Sequence, residues 1–190
     1  MSGSAGPRLA LEAGGLDLRA QCSAYLGEYL DKMTLACEGL GYDDLWARPS
    51  PHANSIANLL LHLAGNLSMW IGVVLGGRDF VRDRPAEFAA DRTADGEELF
   101  DRLAAVVADC RTILGDLDGP ALERRHVVQG YEVTGLGAML HAVEHMGYHT
   151  GQVVLLAKAA RDRRGDRLEF YPHLSTGTPP PVVGEPEESV

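Results

Sequence analysis

The stretch His141-Ala-Val-Glu-His145-Met-Gly-Tyr-His149-Thr-Gly-Gln152 lies inside a long apolar pattern that reads as a helix. At 3.6 residues per turn, positions four apart share a face. His145 and His149 therefore stand one above the other, at a spacing that suits a divalent metal. His141 sits one turn earlier and Gln152 just under a turn later, on nearly the same stripe. Two imidazoles do not make a useful site, so a third ligand has to come from elsewhere in the chain.

One other long apolar segment carries a histidine. Asn54 to Leu75 is apolar nearly all round, which marks the most buried helix of the protein. Asn54 or Ser55 can cap its start, and Gly76-Gly77 ends it. His62 sits in its middle among leucines. Burying an imidazole there costs free energy unless the ring is hydrogen-bonded or metal-bound. Its polar neighbours one turn away, Asn58 and Asn66, are candidate partners around a metal ligand.

Two further helices complete the pattern. Leu18, Cys22, Tyr25, Leu26, Tyr29, Met33, Ala36 and Leu40 recur in steps of three and four, predicting a helix from about Leu16 to Leu40. A polar connection, Tyr42 to Ala53, follows, with Trp46 expected over one end of the core. Ala94 to Gly115 is the third helix, opened by Asp95 and Glu98. The link before it, Gly77 to Thr93, is rich in Arg, Asp and Pro and is long for a hairpin; it suits a crossover running the length of a bundle. Gln129-Gly130 falls between two short β-prone runs within Ala121–Thr134, either a small hairpin or an ordered loop. The fourth helix runs from about Thr134 to Ala160. The expected fold is all-α, a four-helix bundle with a long crossover between the second and third helices. Residues 1–15 read as a flexible N-terminus, 16–170 as the bundle, and 171–190 as a Pro/Gly/Glu-rich, partly disordered tail.

The 190 residues suffice for one domain with a sizeable core. A formal net charge of -10 is the wrong sign for a phosphate-binding surface, so nucleic acid is not an expected partner. No uninterrupted apolar run reaches about 18 residues, and no membrane span is expected. Cys22, Cys37 and Cys110 form no C-x-x-C pair. Cys22 and Cys37 would lie roughly 22 Å apart on one helix, too far to bridge. Buried thiols in a reducing cytoplasm are the expectation.

His62, His145 and His149 come from the second and fourth helices, which can face one core. Three neutral imidazoles on one ion leave a position open, the pattern of a catalytic site. The competing reading places His145 and His149 on a solvated face and bonds His62 to a backbone carbonyl. Against it, the helix around His145 and His149 is otherwise apolar, whereas solvated faces carry Lys and Glu. His141 reads as a satisfied helix histidine before it reads as a fourth ligand or a group behind the ligands. Glu144 suits a salt bridge, and Tyr148 a place in the core. Gln152 could orient a ligand imidazole. His52, His126 and His173 fall in expected loops. No catalytic residue is identifiable from the residues themselves.

Asn54-Ser-Ile-Ala-Asn-Leu-Leu-Leu-His62-Leu-Ala-Gly-Asn, a long middle, and His145-Met-Gly-Tyr-His149-Thr-Gly-Gln152 together resemble the DinB-like superfamily, the DinB/YfiT-like metalloenzymes. The resemblance spans about Leu16 to Ala160. It implies an up-down-down-up bundle, a divalent metal, often zinc or nickel, on His62, His145 and His149, and a homodimer. It also implies thiol chemistry: the metal lowers the pKa of a low-molecular-weight thiol, which attacks a small electrophilic substrate. The alternatives are a hydrolase using metal-bound water and a non-catalytic bundle whose metal staples the fold or a dimer.

Overall fold

A computed structural model describes residues 17–170; the two terminal segments expected to be flexible lie outside the described residues. Four long helices form the body: α1 (Leu18–Cys37), α3 (Ile56–Leu67), α5 (Gly96–Asp116) and α7 (Gly135–Asp162). Each start is capped by a side chain accepting a backbone N–H, from Asp17, Ser55, Asp95 and Thr134 respectively. Ser55 does so within a capping box closed by Asn58.

Pairwise contacts give the topology. α1 packs on α5 and α7, and α3 packs on the same two. Arg161, near the end of α7, donates to Ala36 O near the end of α1, so these helices are parallel. The Cys110 thiol contacts Leu67 O, and Trp46 Nε1 donates to Ala94 O beside the starts of α3 and α5, so these two are also parallel. Arg19 at the start of α1 reaches Leu117 O past the end of α5, making that pair antiparallel. The bundle is therefore up-down-down-up, as expected.

Leu26, Met33, Leu59, Leu60, Leu63, Leu67, Leu103, Leu114, Met139 and Met146 fill the centre and are essentially inaccessible to water. The stretch Ile56–Val73 is long and apolar enough to cross a bilayer, yet 78% of it is buried inside the bundle, where it serves as the core helix. All three cysteines are free and buried.

Several connections carry structure that periodicity did not signal. α1 stops at Cys37, ahead of Gly39 with φ +74, where a side chain would be strained. The link after it contains α2 (Tyr42–Trp46). After Leu67 the second long helix widens into a π-helical turn, Ser68–Val73. The crossover contains α4 (Arg84–Ala89), and α6 (Gly119–Glu123) precedes the fourth helix. α2, α4 and α6 have five or six residues each, too few to display a 3.6-residue repeat. The Gln129-Gly130 segment is a hairpin: β1 (Arg125–Val128) pairs antiparallel with β2 (Tyr131–Thr134). Both turn residues have positive φ, 53 and 87, as a two-residue hairpin loop requires. Tyr148, expected in the core, is instead 62% exposed, because its helix buries the face carrying Ala142, Met146 and Val153.

The crossover sets the site. It runs back along α3, so that Arg78 lies beside Gly72, Arg82 and Glu87 beside Gly65, and Ala90 beside Asn58. The Asn58 amide donates to Ala90 O (2.8 Å) and Glu87 O (3.1 Å). Arg48 donates to Phe88 O at 2.9 Å. Gly65 is what permits the approach: a Cβ there would fall on Glu87 Oε1.

Candidate metal centre

Mid-way along the bundle, α3 contributes His62 and α7 contributes His145 and His149. One ring nitrogen from each lies within 4.8 Å of the others. His62 Nε2 and His145 Nε2 are 3.2 Å apart. Two nitrogens bound to one tetrahedral ion at about 2.05 Å would be separated by about 3.3 Å. The His62–His145 spacing is thus compatible with a shared ion.

Hydrogen bonds fix two of the three rings. His149 Nδ1 donates to Gln152 Oε1 at 2.7 Å, leaving Nε2 as the lone-pair nitrogen. His62 Nδ1 lies 2.8 Å from Glu87 Oε2 and 3.0 Å from Arg82 Nη2. Arg82 can only donate, and Glu87, when ionised, can only accept. Burial alone would raise the Glu87 carboxyl, but hydrogen bonds from His62 and Arg82 outweigh it and leave its pKa below the ordinary value. Glu87 is therefore a carboxylate, the proton sits on His62 Nδ1, and His62 Nε2 offers its lone pair to the centre. Arg82 closes the arrangement with contacts of 2.7 and 2.9 Å to the two Glu87 oxygens. The two side chains are nearly buried, 4% and 10% exposed, and their charges cancel. His145 differs: its Nδ1 is buried without a partner.

The residues fit a divalent cation of borderline softness. The donor set is three imidazoles, and burial disfavours the charged form of two of them. Burial is the main reason the His145 pKa is lowered to about 3, with the neighbouring His149, His62 and His141 rings and Arg82 adding to it. Burial also lowers His149, against the upward pull of Gln152. Neutral imidazole is the ligating form. Imidazole sites accept zinc, nickel, cobalt and iron alike.

Folding of the metal-free protein should show this burial. For His145 the folded pKa lies below the 6.5 of the free side chain, so between about pH 6.5 and about 3 the unfolded chain binds more protons. The stabilising contribution is complete above pH 6.5 and is lost progressively as pH falls toward 3. Denaturation of the apoprotein at stepped pH should give a decline across this window that is shallower in His145→Gln. Equal slopes in the two proteins would contradict the assignment.

The other expected site residues are dispersed. The Asn58 amide bonds the crossover backbone and Ser55 rather than His62. Asn66 Oδ1 has no partner. His141 stands outside the ligand cluster, its ring 4.1 Å from that of Trp70 and 5.5 Å from that of His145. Arg82 and Glu87 were not anticipated, since they come from the crossover and their polar, Pro-containing context reads as a solvated link. The length of that link was the signal that it had a task.

A cavity of about 700 Å³ opens from the histidines. Asn66 and Trp70 line one side, the hairpin residues Gln129, Tyr131 and Glu132 another, and Arg82, Arg84 and His141 the remainder. That is room for a drug-sized ligand. The π-helical turn places Trp70 here.

A family model described as mycothiol S-transferase matches residues 21–160. No curated protein matches the chain. Among solved structures, it is similar to a conserved protein from Enterococcus faecalis, at 19% identity, covering 77% of this chain and 98% of that one with a TM-score of 0.66. It is similar to a DinB-like protein from Bacillus subtilis at 20% identity, with 80% and 96% covered and a TM-score of 0.58. YfiT from Bacillus subtilis, described as a probable metal-dependent hydrolase with an unusual four-helix bundle topology, is 18% identical, with 87% and 96% covered and a TM-score of 0.64. At these identities the structural likeness shows a common fold.

Proposed function

The chain belongs to the mycothiol S-transferase family of the DinB-like superfamily, and from that premise we propose that it is a divalent-metal-dependent thiol S-transferase. The observation that carries this reading is the convergence of His62, His145 and His149 beside a cavity large enough for a thiol and an electrophile. A divalent metal, zinc or nickel, held by these three rings would supply the Lewis acidity that turns a low-molecular-weight thiol into a thiolate near neutral pH.

The protein's own contribution is positional. Glu87 and Gln152 orient two of the ligand rings through their Nδ1 protons. Arg82 offsets the Glu87 charge. The π-helical turn and the hairpin shape a pocket in which sulfur and electrophilic carbon meet. The carbon–sulfur bond forms as the leaving group departs with its electron pair, and the thiol proton passes to solvent. The three free, buried cysteines support a reducing, cytoplasmic setting. The exposed Leu140, Tyr148 and Leu155 on α7 offer a face for a homodimer.

The test is conjugation of mycothiol to a bimane electrophile by protein loaded with zinc or nickel. Turnover should disappear with a chelator and return with the metal. A rate indifferent to the chelator would sink the reading. Loss of an ester substrate without thiol consumption would favour a hydrolase in its place.

A further inference from the structure

The helix α4 brings more to the histidines than Glu87. Arg84 and Phe88 are four positions apart within it and so lie on one face. The Phe88 ring packs on the His62 ring, with centroids 4.6 Å apart. The Arg84 guanidinium carbon lies over the same Phe88 ring, 5.0 Å from its centre. One phenyl ring thus links this cation to a candidate metal ligand. The platform is fixed from behind, because Phe88 O accepts from Arg48 at 2.9 Å.

The charges around the cavity are not balanced in the same way. Arg82, Arg84 and Glu132 all line it. Arg82 is neutralised by Glu87. Arg84 and Glu132 form no ion pair among the described residues. In a chain with 27 Asp and Glu against 17 Lys and Arg, an arginine without a carboxylate partner is not short of candidates. A guanidinium stacked on a ring engages through its face and keeps its in-plane N–H donors for another group. Those donors match the two oxygens of a carboxylate. A single cation balances one negative charge, and Glu132 on the hairpin disfavours a phosphate carrying nearly two.

We propose that Arg84 selects an electrophile bearing a carboxylate, which it holds at the end remote from the carbon that the thiolate attacks. The proposal rests on the thiol-transferase reading and names the class of its second substrate. Arg84 is a specificity determinant, and the Phe88 ring positions it.

Two unreactive probes of one shape, 4-methylbenzoate and 4-methylbenzamide, would be titrated calorimetrically into zinc-loaded and metal-free protein. The benzoate should bind about tenfold tighter in both, the scale of a hydrogen bond to a charged group. Arg84→Gln should bring the ratio to about one, with the amide as the reference for general damage to the cavity. Glu132→Gln, which removes a like charge, should leave the preference at least as large. Equal affinity of the two probes in the unaltered protein overturns the proposal. So does a benzoate preference that needs zinc and survives Arg84→Gln, which would place the carboxylate on the ion. In turnover, mycothiol displaces bromide from 4-(bromomethyl)benzoate or its benzamide, and the benzoate should show the lower KM. Failure to conjugate either compound defeats the thiol reading, while calorimetry decides the carboxylate subsite without turnover.

Discussion

Replacing His145 and His149 together by alanine should reduce bound metal from about one per chain to none. The two rings share one face of α7 and converge with His62 on a point at which nothing else among the described histidines, cysteines and carboxylates completes a cluster. One imidazole alone holds a divalent ion poorly, since the binding free energy of such sites comes from several ligands acting at once. Transferase activity should fall to background. Stability supplies an independent readout. At free metal a thousandfold above the dissociation constant, a bound ion stabilises the fold by about 4 kcal/mol. The unaltered protein should lose about that much on chelation under such conditions, whereas the double variant should be indifferent to the chelator. Elemental analysis beside urea denaturation, with and without chelator, checks both halves. A double variant that still holds one metal per chain would place the ion elsewhere and remove the basis of the proposed chemistry.

Arg82→Ala should be the most destabilising single substitution around the site. The guanidinium is 4% exposed and makes contacts with both oxygens of Glu87, itself 10% exposed. Removing one member of a buried pair leaves the other charge uncompensated in a poor solvent, at a cost of about 3–5 kcal/mol. Glu87 would retain only the His62 N–H. Its carboxyl would then tend to take up a proton, and the tautomer of His62 would no longer be fixed by an ionised acceptor. Metal affinity should therefore fall along with stability. Arg82→Lys should restore little, because a single ammonium cannot span both carboxylate oxygens. Arg84→Ala is the control: Arg84 is exposed and lies over the Phe88 ring, so the change should stay within about 0.5 kcal/mol. Urea midpoints of the three variants check the ranking. An Arg82→Ala protein as stable as the unaltered one would show that the crossover is not anchored through this pair.

Much of the bundle was legible because its elements are long and amphipathic. α1, α3, α5 and α7 each run long enough for the 3.6-residue repeat to show, and Ser55, Asp95 and Thr134 announce their starts through hydrogen bonds that depend on local sequence alone. Gln129-Gly130 marked a turn but left a hairpin and an ordered loop both open; the strand pairing and the positive φ at both turn positions decide for the hairpin. Tyr148 misled because helical periodicity assigns a side chain to a face without saying how wide the buried face is.

The sequence by itself determined the helical architecture and the crossover, and it singled out the three histidines as candidates, from local spacing and from the cost of leaving an imidazole among leucines. Only the tertiary structure decided what surrounds them. Glu87 lies 25 residues from His62 in the chain and 2.8 Å from it in space. Nothing in the composition of the crossover separates a solvated Arg-Asp-Pro link from one laid against a core helix. The difference is made by Gly65, which has no side chain to hold Glu87 off, and by Asn58, whose amide ties the returning backbone to α3. Asn58 and Asn66 look equivalent around His62 in sequence, yet the fold uses one to anchor the crossover and leaves the other with a buried, unpaired oxygen. Hydrogen-bond partners are chosen by three-dimensional proximity and by which competing acceptor arrives first, and neither is encoded in the spacing of the residues that carry them.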